Sequence, residues 1–237
     1  MRGYVLTIDP PDGLRRRSIA SELADMPFGW EFVDGYRKGD PILDALYSPA
    51  KNLLLSKRSL SPGEIACYAG HRLIWQTIVE RQDPHAIVFE DDAQITDRAA
   101  FDRAVQDVTS APFDIVKLWD IKPKPVIARR RLGDTQIVVH KMIASGTGCY
   151  LISRDAAAKM LRRRSVFRAV DEDFSHAWEF GAQVWSVWPN PVTDIAAGST
   201  IEAERISADR RRLRSLWGEA LQVVKRLRHR SHLLKAQ

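Results

Sequence analysis

His85-Ala86-Ile87-Val88-Phe89-Glu90-Asp91-Asp92 is the stretch whose reading decides the fold. Four apolar residues that end in charge describe a buried strand whose tip reaches the edge of a sheet. Open α/β sheets bind their ligands at such carboxyl ends. Three adjacent acids repel one another. A hard divalent cation relieves that repulsion, because Mg²⁺ and Mn²⁺ take oxygen ligands and share them with substrate phosphates. The competing reading is a solvated acidic turn that caps the next helix.

Upstream, Gly3 to Ile8 reads as a first strand, Asp9-Pro10-Pro11-Asp12-Gly13 as a loop, and Leu14 to Asp25 as a helix. Trp30 to Val33 forms a second strand. This βαβ opening belongs to nucleotide-binding sheets, and it lacks the GxGxxG loop of dinucleotide sites. Residues 37–57, with Pro41 and Pro49, read as a looser stretch. Ser61-Pro62-Gly63-Glu64 is a capping box that opens a helix to about Arg81. Downstream, a helix over Arg98–Val108 precedes a strand over Asp114–Trp119. Residues 121–134 read as a mobile loop, followed by strands at 136–140 and 148–152. Ser153 caps another helix, Asp171 starts one more, and a last strand covers 182–188.

The chain has 237 residues, 45% of them hydrophobic, which supports one core. There is no run of about 18 apolar residues for a membrane span. The apolar start is too short for a signal peptide. Two cysteines in separate segments fit a reducing cytoplasm. Charge divides unevenly. Residues 205–237 hold ten Lys/Arg against Asp209 and Glu219, or +8 of a net +6, so residues 1–204 sum to −2. In that tail Leu213, Leu216, Trp217, Ala220, Val224 and Leu227 make one apolar stripe flanked by arginines. A basic amphipathic helix of this kind suits the face of an anionic membrane, or packs on its own domain. The expected division is therefore a domain at 1–204 and a basic helix at 205–237.

A second acidic run, Asp171-Glu172-Asp173, offers a proton acceptor. Acids of both runs suit metal-assisted attack on an activated phosphate ester: sugar transfer, or the chemistry of a metal-dependent nuclease or phosphatase. A non-enzymatic nucleic-acid binder led by the tail is a third reading, opposed by carboxylates that would repel phosphate. Spacing does not separate the first two.

Several segments carry a resemblance. Ser61-Pro62-Gly63-Glu64-Ile65-Ala66-Cys67-Tyr68-Ala69-Gly70-His71 resembles the GEIGC-x-x-SH segment of glycosyltransferase family 25, with Ala66 and Gly70 where glycine and serine are usual. Ala86 to Asp92 is similar to its A-I-I-F-E-D-D. Phe32-Val33-Asp34-Gly35 resembles A-V-D-G, Gly146 to Ser153 resembles G-T-x-x-Y-L-I-S, and Val170-Asp171 resembles P-V-D. The likeness spans about residues 3–201; its first loop departs from the family's arginine-bearing one.

The resemblance implies a GT-A type fold, a mixed, mostly parallel sheet flanked by helices. It also implies inverting transfer of galactose or glucose from a UDP-sugar to a glycan or glycolipid acceptor in lipopolysaccharide synthesis. It assigns Asp92, with Glu90, to Mn²⁺ or Mg²⁺, and Glu90 or Asp91 to ribose or a bound water. Thr7 and Ile8 fall near uracil, and Lys117 to Asp120 in the sugar pocket. Asp171 is the leading base and Asp173 its rival. A cytoplasmic protein at the inner face of the membrane, with no nucleic-acid partner, completes the expectation.

Overall fold

The computed structural model describes residues 1–56, 58–195, 223–224 and 227–228. β1 (Arg2–Thr7), α1 (Leu14–Glu22) and β2 (Trp30–Asp34) form the predicted βαβ opening, with β1 and β2 parallel. Next come α2 (Pro41–Leu46), α3 (Pro49–Leu55) and α4 (Pro62–Glu80). The looser stretch thus holds two short helices. Pro41 and Pro49 start them rather than break them, because the first helical residue needs no N–H. In α4 the capping box is complete. Ser61 Oγ accepts from the Glu64 amide at 3.2 Å, and Glu64 Oε2 accepts from the Ser61 amide at 2.9 Å.

β3 (His85–Glu90) adds to the free side of β1 in parallel, with Leu6 opposite Glu90. After it come β4 (Ala93–Ile95), α5 (Arg98–Thr109), β5 (Ile115–Lys117), β6 (Val126–Leu132), β7 (Thr135–His140) and β8 (Cys149–Ser153). α6 (Arg154–Leu161), α7 (Val170–Phe174), a short 3₁₀ turn, β9 (Val184–Val187) and β10 (Val192–Asp194) follow. The main sheet runs β2-β1-β3-β8-β5-β9-β7-β6.

This order corrects two expectations. The sheet is mixed, not mostly parallel: β1–β2, β1–β3 and β5–β9 are parallel, while β8 runs against both neighbours and β7 against β6 and β9. A continuous apolar run marks a buried strand but carries no direction. The stretch at 121–134 is not all loop either. β6 pairs with β7 through a tight turn at Gly133, whose φ is +53°, a left-handed value that suits glycine. Its arginines masked the strand in the sequence; on an edge strand such exposed charge guards against pairing with another chain.

Side chains alternate across the sheet between two cores. Tyr4, Val88, Tyr150 and Ile152 join Tyr68, Trp75, Met160 and Phe174 on the α4 and α6 side. Val5, Ile87, Phe89 and Leu151 join Ile19, Leu23, Phe101 and Val108 on the α1 and α5 side. Each such side chain contributes about 1.5–3 kcal/mol of burial. At Gly70 a Cβ would lie 2.6 Å from Leu6 Cδ1, so glycine brings α4 down onto the tip of β1. β4 and β10 pair separately, and the Ile195 amide donates to the Asp92 carbonyl at 2.8 Å, which fixes the chain just beyond the acids.

Candidate active site

β1 and β3 are neighbours, so their tips bring Thr7 and the acids Glu90-Asp91-Asp92 together. The three acids have different surroundings. Asp91 is buried and saturated: its Oδ2 accepts from Thr7 Oγ1 at 2.6 Å and its Oδ1 from Arg15 Nη1 at 3.0 Å. Arg15 reaches in from the start of α1, where its amide donates to Asp9 Oδ2 at 2.9 Å. Glu90 Oε1 accepts from Thr147 Oγ1 at 2.6 Å and lies 3.3 Å from His71 Nε2. Burial works to raise the Glu90 carboxyl, but His71, Thr147 and Arg15 outweigh it and hold the group below its ordinary value. Asp92 keeps 29% of its side chain exposed, with Arg15 Nη1 3.7 Å away. Burial, then the charges of Glu90 and Asp91, push its carboxyl up to about 7 against the pull of Arg15.

One acid is thus satisfied, one is oriented, and one is short of positive charge. This donor set fits a hard divalent cation. Glu90 Oε2 has no hydrogen-bond partner among the described residues, and Asp92 lacks full compensation.

The facing wall is the loop before β8. Gly146 has φ +95°, and a Cβ there would lie 2.7 Å from Trp119 Cζ3; at Gly148 it would lie 2.8 Å from Trp119 Cε3. Both glycines let the Trp119 ring lie against the backbone, and the Gly148 carbonyl accepts from the Glu90 amide at 2.8 Å. Lys117 supports this loop from behind. Its Nζ donates to the carbonyls of Ala144 at 2.6 Å and Ser145 at 3.1 Å and pairs with Asp120 at 2.7 Å. Burial lowers the Lys117 ammonium against the pull of Asp120. Burial would raise the Asp120 carboxyl, but His140, Lys117 and Ser186 hold it at about 2. Lys117 is fully buried, and its ammonium is spent on this loop and on Asp120.

Asp171 sits in the first turn of α7, with the Gly146 amide 3.4 Å from its Oδ2. Gly146 adjoins Thr147, whose hydroxyl donates to Glu90 Oε1 at 2.6 Å. The Cys67 thiol is pushed up by burial and then by the charges of Glu90, Asp171, Glu64 and Asp92. Asp173, two residues on, is turned into the core and 1% exposed. Arg163 grips it with Nε at 2.9 Å and Nη2 at 2.8 Å, Tyr68 Oη donates at 2.6 Å, and Arg168 stands 3.6 Å away. Glu179 closes the cluster by pairing with Arg163 at 2.6 Å and Arg168 at 2.8 Å.

Of the predicted residues, Thr7, Glu90, Asp91 and Asp92 gather at the tips of β1 and β3, and Asp171 reaches the Gly146 amide, next to Thr147, the partner of Glu90. Ile8, 52% exposed, leads off the tip of β1. The Thr7 hydroxyl is used to hold Asp91. Sequence reasoning missed Arg15 and Thr147. Arg15 belongs to the run Arg15-Arg16-Arg17, in which nothing distinguishes the member that reaches the acids; Arg16, the most buried of the three, instead pairs with Asp34. Most of the predicted basic helix lies outside the described residues. Val223, Val224, Leu227 and Arg228 are helical, and the Arg228 guanidinium lies 5.0 Å over the Trp178 ring. Among the described residues no helix is long and apolar enough to cross a membrane.

Residues 11–175 match a family model described as glycosyltransferase family 25 (LPS biosynthesis protein). The lipooligosaccharide biosynthesis protein lic2B of Haemophilus influenzae is 25% identical over 162 residues, covering 62% of this chain and 57% of that protein. The probable inactive glycosyltransferase 25 family member 3 of Rattus norvegicus is 26% identical over 171 residues, covering 67% of this chain and 29% of its own length. The inactive glycosyltransferase 25 family member 3 of Mus musculus matches equally, with 28% of its length covered. The chain thus spans little more than half the length of the bacterial relative and under a third of the mammalian ones. A197 from STIV superposes with a TM-score of 0.44 at 11% identity, over 78% of this chain and 80% of that one. That likeness is too weak to weigh.

Proposed function

The chain belongs to glycosyltransferase family 25, and from that premise we propose that it is an inverting hexosyltransferase with a GT-A type fold. In this reading residues 1–204 form the catalytic domain. It moves galactose or glucose from a UDP-sugar to a hydroxyl of a lipopolysaccharide or related surface glycan. Glu90 and Asp92 hold Mn²⁺ or Mg²⁺, which when bound neutralises the charge gathering on the departing diphosphate. Asp91 stays bonded to Thr7 and Arg15, so it fixes the strand tip and the start of α1 relative to each other. Ile8 offers apolar surface to the uracil, and Thr7 acts through Asp91. Lys117 keeps the loop at 144–148 in place as the wall of the sugar pocket.

Asp171 is the base. It accepts the acceptor hydroxyl's proton as that oxygen attacks the anomeric carbon from the face opposite UDP. The new C–O bond forms as the bond to UDP breaks, and the configuration inverts. Asp173 is not suited to that task, because Arg163, Arg168 and Tyr68 already engage its oxygens inside the core. Two mammalian relatives carry the word inactive in their names. In this chain the acids of both runs are present. The basic tail, by its charge, brings the enzyme to the cytoplasmic face of an anionic membrane where a glycolipid acceptor resides.

One observation carries the reading: Glu90, held at Oε1 by Thr147, and Asp92, with only a distant arginine 3.7 Å away, end the strand beside the loop whose Gly146 amide reaches Asp171. The test is to incubate the full chain with UDP-galactose, UDP-glucose or UDP-N-acetylglucosamine, with Mn²⁺ or with chelator. The expected result is UDP release from a hexose donor that stops on chelation. Turnover that persists after chelation removes the metal from the reading. Cleavage of plasmid DNA in a parallel tube, without UDP release, replaces the transferase with a nuclease.

A further inference from the structure

Cys67, His71 and Glu90 offer ligand atoms within 4.8 Å of one another, with Cys67 and His71 one turn apart on α4. By residue type alone this trio suits zinc. Hydrogen-bond accounting points elsewhere. Tyr150 Oη is buried, and among the described residues its partners are Trp75 Nε1 at 3.0 Å and His71 Nδ1 at 2.9 Å. An indole N–H can only donate, so Trp75 occupies a lone pair of Oη. The phenol's own proton then has one acceptor, His71 Nδ1. A nitrogen that accepts carries no proton, so the ring proton sits on Nε2, directed at Glu90 Oε1 3.3 Å away. Thr147 donates to the same oxygen at 2.6 Å. Donors thus run in one direction from Trp75 through Tyr150 and His71 to Glu90, from the core to the acid tip. Ring packing holds the chain rigid: His71 lies 5.6 Å from the Tyr150 ring and 6.2 Å from Trp75, and Phe174 packs on both aromatics.

We propose that His71 is a positioning residue, fixed by Tyr150 as the Nε2–H tautomer, which holds Oε1 of Glu90 so that Oε2 is presented to the cation. The same proton occupies the nitrogen that a thiophilic metal would need, so Cys67 and His71 form no zinc site. The consequence for the cation rests on the reading of Glu90 as its ligand; the tautomer does not. A group that orients a metal ligand typically changes metal affinity by about 10–100-fold when removed.

Long-range ¹H–¹⁵N correlation on the full chain labelled with ¹⁵N-histidine reads the tautomer without substrate or metal. The Nε2–H form is expected for His71; an Nδ1–H form overturns the proposal. Calorimetric titration with Mn²⁺ alone should show binding about 10–100-fold weaker in His71→Leu. His71→Gln, which keeps an N–H at the same reach, should recover most of that loss. Equal affinity in all three proteins overturns the positioning role. Titration of the parent protein with Co²⁺ should give no thiolate-to-cobalt absorption; its appearance identifies a Cys67–His71 metal site and overturns the proposal. Should His71→Leu fail to fold, the tautomer and the glutamine variant still decide. A protein with the expected tautomer and Mn²⁺ response that transfers no sugar refutes the proposed function and leaves the positioning role standing.

Discussion

Glu90-Asp91-Asp92 and Asp171-Glu172-Asp173 look alike in sequence: three carboxylates in a row beside an apolar element. In the fold they are opposites. The first run stands at a strand tip with one arginine shared between Asp91 and Asp92, and Asp92 is driven up to about 7. The second is divided by a helical turn. Asp173 points into the core against two arginines and a tyrosine, while Asp171 stays half-buried and reaches the Gly146 amide. Acids already served by fixed cations stabilise the fold; acids left short of charge are available to a ligand. Position within the element, not composition, decides which is which.

The sharpest way to break this comparison lies within the second run. Asp171→Asn should lower kcat by about 10²–10⁴-fold with an unchanged melting temperature. Asp173→Asn should instead remove up to about 3–5 kcal/mol of stability, because it leaves Glu179 as the one carboxylate offsetting Arg163 and Arg168 among the described residues. Activity per folded molecule, measured beside thermal melts, separates the two. A dead but stable Asp173→Asn would make that residue the base.

Asp92→Asn comes next. It should cost about 10²–10³-fold in turnover and abolish calorimetric Mn²⁺ binding, while the melting temperature holds or rises because repulsion with Glu90 and Asp91 is relieved. A variant that binds Mn²⁺ as the parent does would detach the cation from the strand tip.

A smaller effect follows from pH. The Asp92 carboxyl is raised from an ordinary value near 4 to about 7, so the folded state holds a proton that the unfolded chain has released. Its contribution to stability is fully present below about pH 4 and is lost as pH rises through about 7. The melting temperature of Asp92→Asn relative to the parent should therefore climb between pH 5 and pH 8 in metal-free buffer. Mn²⁺ should stabilise the parent most at the upper end, and its binding should release protons below about pH 7. A flat difference across that range would mean that Asp92 is not crowded.

The mildest change is Arg15→Gln. Arg15 is partly exposed, so the pair with buried Asp91 is worth about 1 kcal/mol. Its loss should steepen the same pH dependence and lower the neutral melting temperature slightly. A large loss would show Arg15 to be a structural anchor of α1 instead.

Much of this was legible in the chain. The βαβ opening, the capping box at Ser61 and Glu64, and the strand that ends in acids all follow from local pattern. Strand direction did not, since an apolar run reads the same both ways, and β8 entered antiparallel between β3 and β5. β4 and β10, three residues each, were too short to leave a period. Lys117, expected near the donor because strand ends face ligands, also closes a loop 27 residues away, which no local pattern records.

The sequence by itself determined which acids exist, that one run ends a buried strand, and that the segments around it resemble one glycosyltransferase family. Those properties are local, written in periodicity and neighbouring residues. Only the tertiary structure decided which carboxylates find cations. That answer depends on groups 76, 84 and 105 positions apart in the chain: Arg15 and Thr7 on Asp91, and Tyr68 on Asp173. Charge compensation falls off over a few ångströms, and no local pattern records which distant side chains arrive within that range.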